Sequence, residues 1–464
     1  MLQKYMQKLS KLFSSIPKYL LAAVIIIVPL YPKFPLISVP GTYVAIRFED
    51  LLLLILGIFT AVKILTNLKT FLNDWIVKAF LIFFGVALVS LISGIFLTKT
   101  IGFRIGLLEY LRRVEYVVPF FACLAFLKKE TILNDLVFYL KLFAFVVVAA
   151  FVYGFGQVHF HFPVIITQNA EYSRGIALFW SAGSQVNSTF AGHYDLAAFI
   201  VIVIPILITL LFVFRDWVNK LIFILVTGAG LWLLIASVSR IGQVAYIVAV
   251  SLSILLLRKY KEAVIIVLIS AILIGMSSGV QTRFGRILDL VKQEFHISKI
   301  LGSIQPNFVI LADGPTSIPA TPAPPPAPAA ADRSTSIRLN VEWPRAIRAF
   351  EKNPLVGTGY SSITLATDND YLRMLGEVGV LGFAAFFLVF LRIGQEISSV
   401  FPKVRNTSKI IGGFFAGIIG GLVGTFLIAL FIDIFEASKF AIVFWLLIGI
   451  AVFLARNIDY VQEN

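Results

Sequence analysis

Apolar runs of membrane-spanning length recur from one end of this chain to the other, and no other feature limits its fold as much. A spanning helix needs about 20 mostly apolar residues. Twelve stretches approach that length: 19–38, 51–66, 76–97, 114–127, 136–158, 194–214, 217–238, 241–257, 263–280, 371–391, 410–431 and 439–455. Little remains to clothe a water-facing surface. Hydrophobic residues are 59% of the 464 and charged residues 14%, where soluble domains carry about 45–50% and about 25%. The expected fold is an all-α polytopic membrane protein with about 12 transmembrane helices, because a helix satisfies its own backbone hydrogen bonds in lipid.

The runs divide the chain into three parts. Residues 1–280 supply helices one to nine, 281–370 a large outer loop, and 371–464 helices ten to twelve with a short tail. The fourth run is short, and a very tight turn splits the pair around Ser239 and Arg240. Lys4, Lys8, Lys11 and Lys18 precede the first run, as in a signal peptide. Pro29, Pro32 and Pro35 stand where a small-residue cleavage site would lie, so this segment reads as a retained anchor. Lys and Arg gather in the N-terminus, the even connections and the tail, which predicts that both termini are cytoplasmic. Topology thereby explains much of the net charge, 39 − 25 = +14, and no nucleic-acid partner is expected. The single Cys123 excludes a disulfide framework.

Two outer segments are basic against this rule. Residues 98–113 carry Lys99, Arg104, Arg112 and Arg113, and the long loop carries Arg283, Arg286, Arg333, Arg338, Arg345 and Arg348. One reading is contact with lipid head groups. The other is a basic outward cavity for an anionic substrate, since Arg forks match phosphate geometry. Within the loop, 283–304 and 334–350 have amphipathic helical spacing, and the Pro/Ala-rich tract 319–331 reads as a spacer without chemistry. The glycines of Asn353-Pro-Leu-Val-Gly-Thr-Gly-Tyr360 suit a turn with positive φ better than a nucleotide loop. Asp368 or Asn369 can cap the following helix. Arg373 and Glu377 are i,i+4 partners inside an apolar span, and charge there signals function.

Three of these pieces together carry a family resemblance. They are Arg338 through Trp343, the Asn353-Pro-Leu-Val-Gly-Thr-Gly turn, and Asp368-Asn-Asp-Tyr-Leu-Arg-Met-Leu-Gly-Glu-Val-Gly-Val-Leu-Gly382. The chain resembles the O-antigen ligase and O-antigen polymerase superfamily. Ser239-Arg-Ile-Gly242 and Ser188-Thr-Phe-Ala-Gly-His-Tyr-Asp195 agree with it, so the resemblance runs from about residue 180 onward. It implies a fold like the C-type glycosyltransferases and transfer of a glycan from an undecaprenyl-diphosphate carrier to an acceptor hydroxyl. The acceptor would be a glycan, lipid or protein, on the outer face of a bacterial inner membrane rich in partner lipids.

The resemblance also implies chemistry without a metal or other cofactor. Arg240 and Arg338 then meet the departing diphosphate, because arginine can take a cation's place against developing negative charge. Arg104, Arg112 and Arg113 help, and His193, Trp343, Asn369, Tyr371 and Arg373 are expected to contact substrate. Ligases of the family carry His where this chain has Asp368, which favours a polymerase over a lipid A-core or protein O-glycan ligase. Asp368 would orient the acceptor or take its proton. His159 and His161 are too few to hold a metal. A small-anion transporter is the rival class, but no repeated halves with broken helices are visible in the sequence.

Overall fold

The computed structural model describes residues 2–39, 45–164, 178–181, 184–214, 216–276, 336–364 and 366–463. The spacer at 319–331 and the amphipathic stretch 283–304 lie outside the described residues. The described chain is helical apart from two small antiparallel hairpins, Pro35–Ser38 with Ala45–Arg47 and Pro163–Val164 with Leu178–Phe179. The helices are α1 (Leu2–Leu30), α2 (Phe48–Leu65), α3 (Leu68–Asn73), α4 (Trp75–Ile92), α5 (Phe103–Tyr116), α6 (Val118–Phe126), α7 (Ile132–His159) and α8 (His193–Leu210). They continue with α9 (Trp217–Ala236), α10 (Arg240–Leu256), α11 (Tyr260–Gly275), α12 (Trp343–Lys352), α13 (Asp370–Thr407), α14 (Lys409–Ile428), α15 (Ser438–Arg456) and α16 (Ile458–Glu463).

Among the described residues, seven helices are long and apolar enough to cross a membrane: α4 with its extension to Leu97, α7, α8, α9, α13, α14 and α15. Two shorter apolar helices, Ile16–Leu30 and α10, accompany them. The protein is therefore an all-α polytopic membrane protein, but length and composition do not by themselves give twelve spans. The other three expected spans fall on α2, α6 and α11. Helix α2 includes Glu49, Asp50 and Lys63, and α11 has 16 residues. Helix α6 has only 9 residues, about 14 Å at 1.5 Å per residue. It follows α5 across a break at Val117, just before Pro119.

Burial sorts the helices. Helix α15 is buried throughout its apolar window and α8 over most of it, as expected of helices that are apolar on every face. Helix α14 packs between α8 and α10 by means of its glycines. A Cβ on Gly417 would lie 2.4 Å from Ile206 Cα, and one on Gly420 2.3 Å from the Ala249 carbonyl oxygen. Small residues permit such backbone approach in membrane bundles. Leu54, Ile58 and Val62 of α2 and Val264, Leu268 and Ile272 of α11 are exposed, a surface suited to lipid.

The bundle also gathers helix ends. Asp370 N–H at the start of α13 donates to the Ala429 carbonyl after α14 at 2.9 Å, and Val186 N–H donates to the carbonyl of Ala236, the last residue of α9, at 3.0 Å. Buried Lys439, at the start of α15, donates to the carbonyls of Pro29, Tyr31 and Thr189. The starts of α8, α13 and α15 thus meet the ends of α1, α9 and α14, and the polar residues described below lie here.

A break in α13 is part of that assembly. Gly379 has φ 68° and ψ −176° inside the helix, and the turn 353–359 docks there. Thr358 N–H donates to Gly376 O and Gly359 N–H to Glu377 O, while Val380 and Leu381 donate back to Pro354 and Leu355. The turn satisfies backbone groups that the break releases. Gly357 and Gly359 have φ 76° and 92°, as the turn reading requires. A Cβ at Gly357 would lie 2.3 Å from the Glu377 carbonyl oxygen. Gly357→Ala is therefore expected to destabilise the fold by at least about 2 kcal/mol, since the left-handed conformation alone costs about 1–2 kcal/mol. Thermal unfolding in detergent measures this, and an unchanged midpoint would refute it.

Candidate functional site

Arg338 opens a widened helical turn, Arg338–Glu342, in which Trp343 N–H reaches back five residues to the Arg338 carbonyl. Pro344 follows at once and has no N–H to continue the ordinary ladder. Single widened turns of this kind are frequent at functional sites. Arg338 Nε and Nη2 both donate to Asp368 Oδ2, at 3.0 and 2.7 Å. Tyr194, in the first turn of α8, lies close enough to Arg338 to interact with it electrostatically. Burial opposes the Arg338 charge, but Asp368 and Tyr194 outweigh it and hold the guanidinium above its usual range. Asp368 adopts φ 50°, a left-handed conformation that Asp tolerates better than most residues.

The helix-cap question resolves next door. Asn369 Oδ1 accepts from Leu372 N–H at 3.0 Å and caps α13. Asp368 is left to Arg338. Four residues beyond Arg338, burial and then the Asp368 charge push the Glu342 carboxyl up to about 7.

Beneath this pair lies a buried ionic network. Asp433 accepts from the backbone N–H groups of Thr367 and Asn369, at 2.7 and 3.0 Å, and pairs with Arg373 at 2.9 Å. Arg373 also lies 3.4 Å from Glu377, the expected i,i+4 partner, and 3.7 Å from Glu436. Asp370 Oδ2 accepts from Ile434 and Phe435 N–H. Arg113 pairs with Glu436, donates to the Phe435 carbonyl at 3.3 Å, and lies over the Tyr116 and Tyr360 rings. The network fixes the Asp368 loop against residues 433–436 and α5. A small cavity beside it is lined by Arg113, Tyr116, Tyr360, Arg373, Glu377 and Trp445, among others.

The Ser239-Arg-Ile-Gly242 motif has a local explanation. Ser239 Oγ caps α10 by accepting from Gly242 N–H at 3.2 Å. A Cβ on Gly242 would lie 2.9 Å from Ala197 Cβ, so the glycine lets α10 close on α8 one turn below Tyr194. Arg240 is thereby set at the first turn of α10, beside the helix that carries Tyr194. The His193 ring lies against that of Tyr194, tilted by 39° with centroids 4.0 Å apart.

The remaining expected site residues are dispersed. Arg104 is exposed on α5. Arg112 donates to the Ala45 carbonyl at 3.3 Å and lies 3.6 Å from Glu109. The Tyr371 hydroxyl donates to Phe426 O at 2.8 Å, inside the bundle. Trp343 Nε1 is buried. Sequence reasoning missed Asp433, Glu436, Glu342 and Tyr194. Asp433 and Glu436 carry the same signal that singled out Arg373: charge bordering an apolar run.

These features define a class: a multi-pass helical membrane protein with a buried ionic centre and an arginine–aspartate pair where its helix ends meet. Residues 223–387 match the family model described as O-antigen ligase, a region that contains Arg240, Arg338, Trp343, Asp368, Asn369, Tyr371 and Arg373. The match covers the region that carries the resemblance to the O-antigen ligase and O-antigen polymerase superfamily, and supports it. No curated protein matches it significantly.

Proposed function

We propose that this protein is a metal-independent glycosyltransferase that moves a glycan from an undecaprenyl-diphosphate carrier to an acceptor hydroxyl. It acts on the outer face of a bacterial inner membrane, with both termini cytoplasmic, and polymerase chemistry is preferred over ligase. The observation that carries the reading is the Arg338–Asp368 pair, which lies inside the family-matching region. Arg338, oriented before substrate arrives, meets the diphosphate as its negative charge develops, and Arg240 assists. Donors that need no reorganisation in the transition state stabilise it most. Asp368 holds the Arg338 guanidinium in register and turns toward the acceptor. Arg373 and Arg113, neutralised by Glu377, Asp433 and Glu436, support the floor of the site.

The test is glycan transfer by purified protein from a carrier-linked donor, with a second carrier-linked glycan or lipid A-core as acceptor. Extension of the carrier-linked acceptor supports polymerase, and transfer to lipid A-core would replace it with ligase. Anion uptake in proteoliposomes without transfer would replace the enzyme with a transporter. EDTA is expected to leave the rate unchanged. Asp368→Asn is expected to lower turnover about 10- to 100-fold, the worth of a charged hydrogen bond, with donor binding nearly intact. Full turnover in that variant would remove Asp368 from the site.

A further inference from the structure

The segment that carries Arg338 also holds three buried polar atoms without a hydrogen-bond partner among the described residues: Glu342 Oε2, Trp343 Nε1 and Arg345 Nη1. Folded proteins leave few such atoms, and each calls for an explanation. Here an acceptor and two donors lie within four residues, in the segment that carries Arg338, and Glu342 is within electrostatic reach of the Arg338–Asp368 pair. A ligand rich in hydroxyl groups would satisfy all three. Glu342 and Arg345 are three residues apart and so neighbours on one side of the helix, and Arg338 lies one widened turn before Glu342. The charged groups facing Glu342 are Arg338 and Arg345 from its own segment, Asp368 from the loop before α13, and Asp433 from the loop after α14. Asp368 Oδ2 already accepts two Arg338 N–H bonds, which lowers its ability to take a proton. Glu342 Oε2 accepts none.

We propose that Glu342 is the general base of the transfer reaction, and that Trp343 Nε1 and Arg345 Nη1 donate to hydroxyls of an acceptor glycan. The inference rests on the glycosyltransferase reading above. Glu342 carboxylate takes the proton of the acceptor hydroxyl. The acceptor oxygen forms its bond to the anomeric carbon of the donor glycan as the bond from that carbon to the diphosphate oxygen breaks. The electron pair leaves with the carrier diphosphate, and the Glu342 proton passes to water. A carboxyl that titrates near neutral pH suits this task, because base strength and ionised fraction are then both useful.

The test is the pH dependence of transfer by the full-length protein, with a carrier-linked oligosaccharide from host membranes as donor. Wild-type kcat/KM is expected to rise with pH through about 7, as Glu342 loses its proton, and then level off. Glu342→Gln is expected to lower kcat about 100- to 10,000-fold, the usual worth of a general base. The donor Kd should stay near the wild-type value and the acidic limb should vanish. Glu342→Ala should regain part of its rate with added formate, which a positioning role alone would not produce. A wild-type profile without an ionisation near pH 7, or a Gln variant that keeps both rate and limb, would overturn the assignment while leaving the glycosyltransferase reading intact. Absence of transfer by the wild-type protein would overturn both.

Discussion

Arg338→Lys lowers glycan transfer about 100- to 1000-fold on the proposed mechanism, with membrane insertion and folding unchanged. The magnitude is that of removing one donor aimed at a developing oxyanion. Lysine keeps the charge, so a screening role would survive the substitution. What it loses is the planar fork. Arg338 uses Nε and Nη2 together on Asp368 Oδ2, and an ammonium on a flexible stem cannot reproduce that fixed orientation. Turnover of the variant against the carrier-linked donor, with detergent melting as the folding control, measures the effect. A rate within a few-fold of wild type would move the diphosphate away from Arg338. Arg240→Lys, at the capped start of α10, provides the matching measurement for the second arginine.

Asp433→Ala is expected to cost about 3–5 kcal/mol of stability, the range for removing one partner of a buried ion pair. Asp433 has 10% side-chain exposure and Arg373 13%. The substitution also leaves the N–H groups of Thr367 and Asn369 without their acceptor. Those two amides flank Asp368, so the loop that presents Asp368 to Arg338 should loosen and transfer should fall with stability. Asp433→Asn can still accept a hydrogen bond but removes the charge, and should lie between the two. Equal melting temperatures for wild type and the Ala variant would mean that Glu377 and Glu436 suffice for Arg373.

The sequence alone determined what short-range rules govern. Apolar run length established a membrane bundle, because lipid demands self-satisfied backbone over about 20 residues. Asn353-Pro-Leu-Val-Gly-Thr-Gly was legible as a turn because only its local φ preferences matter, and Gly357 and Gly359 do have positive φ. The Arg373–Glu377 contact followed from helical spacing for the same reason. Span count was less legible: α6 is 9 residues long, and its apolar run continues outside the helix at both ends. Long-range choices were hidden. Asp368 and Asn369 were equivalent as helix caps on sequence. Asn369 takes the cap in the structure, while the widened turn before α12 brings Arg338 to Asp368 from 30 residues away. Asp433 meets Arg373 across 60 residues because α14 ends beside the start of α13. Such pairings depend on which helix ends the packing brings together, and hydrophobic periodicity reports the buried face of a helix but not the neighbour that covers it.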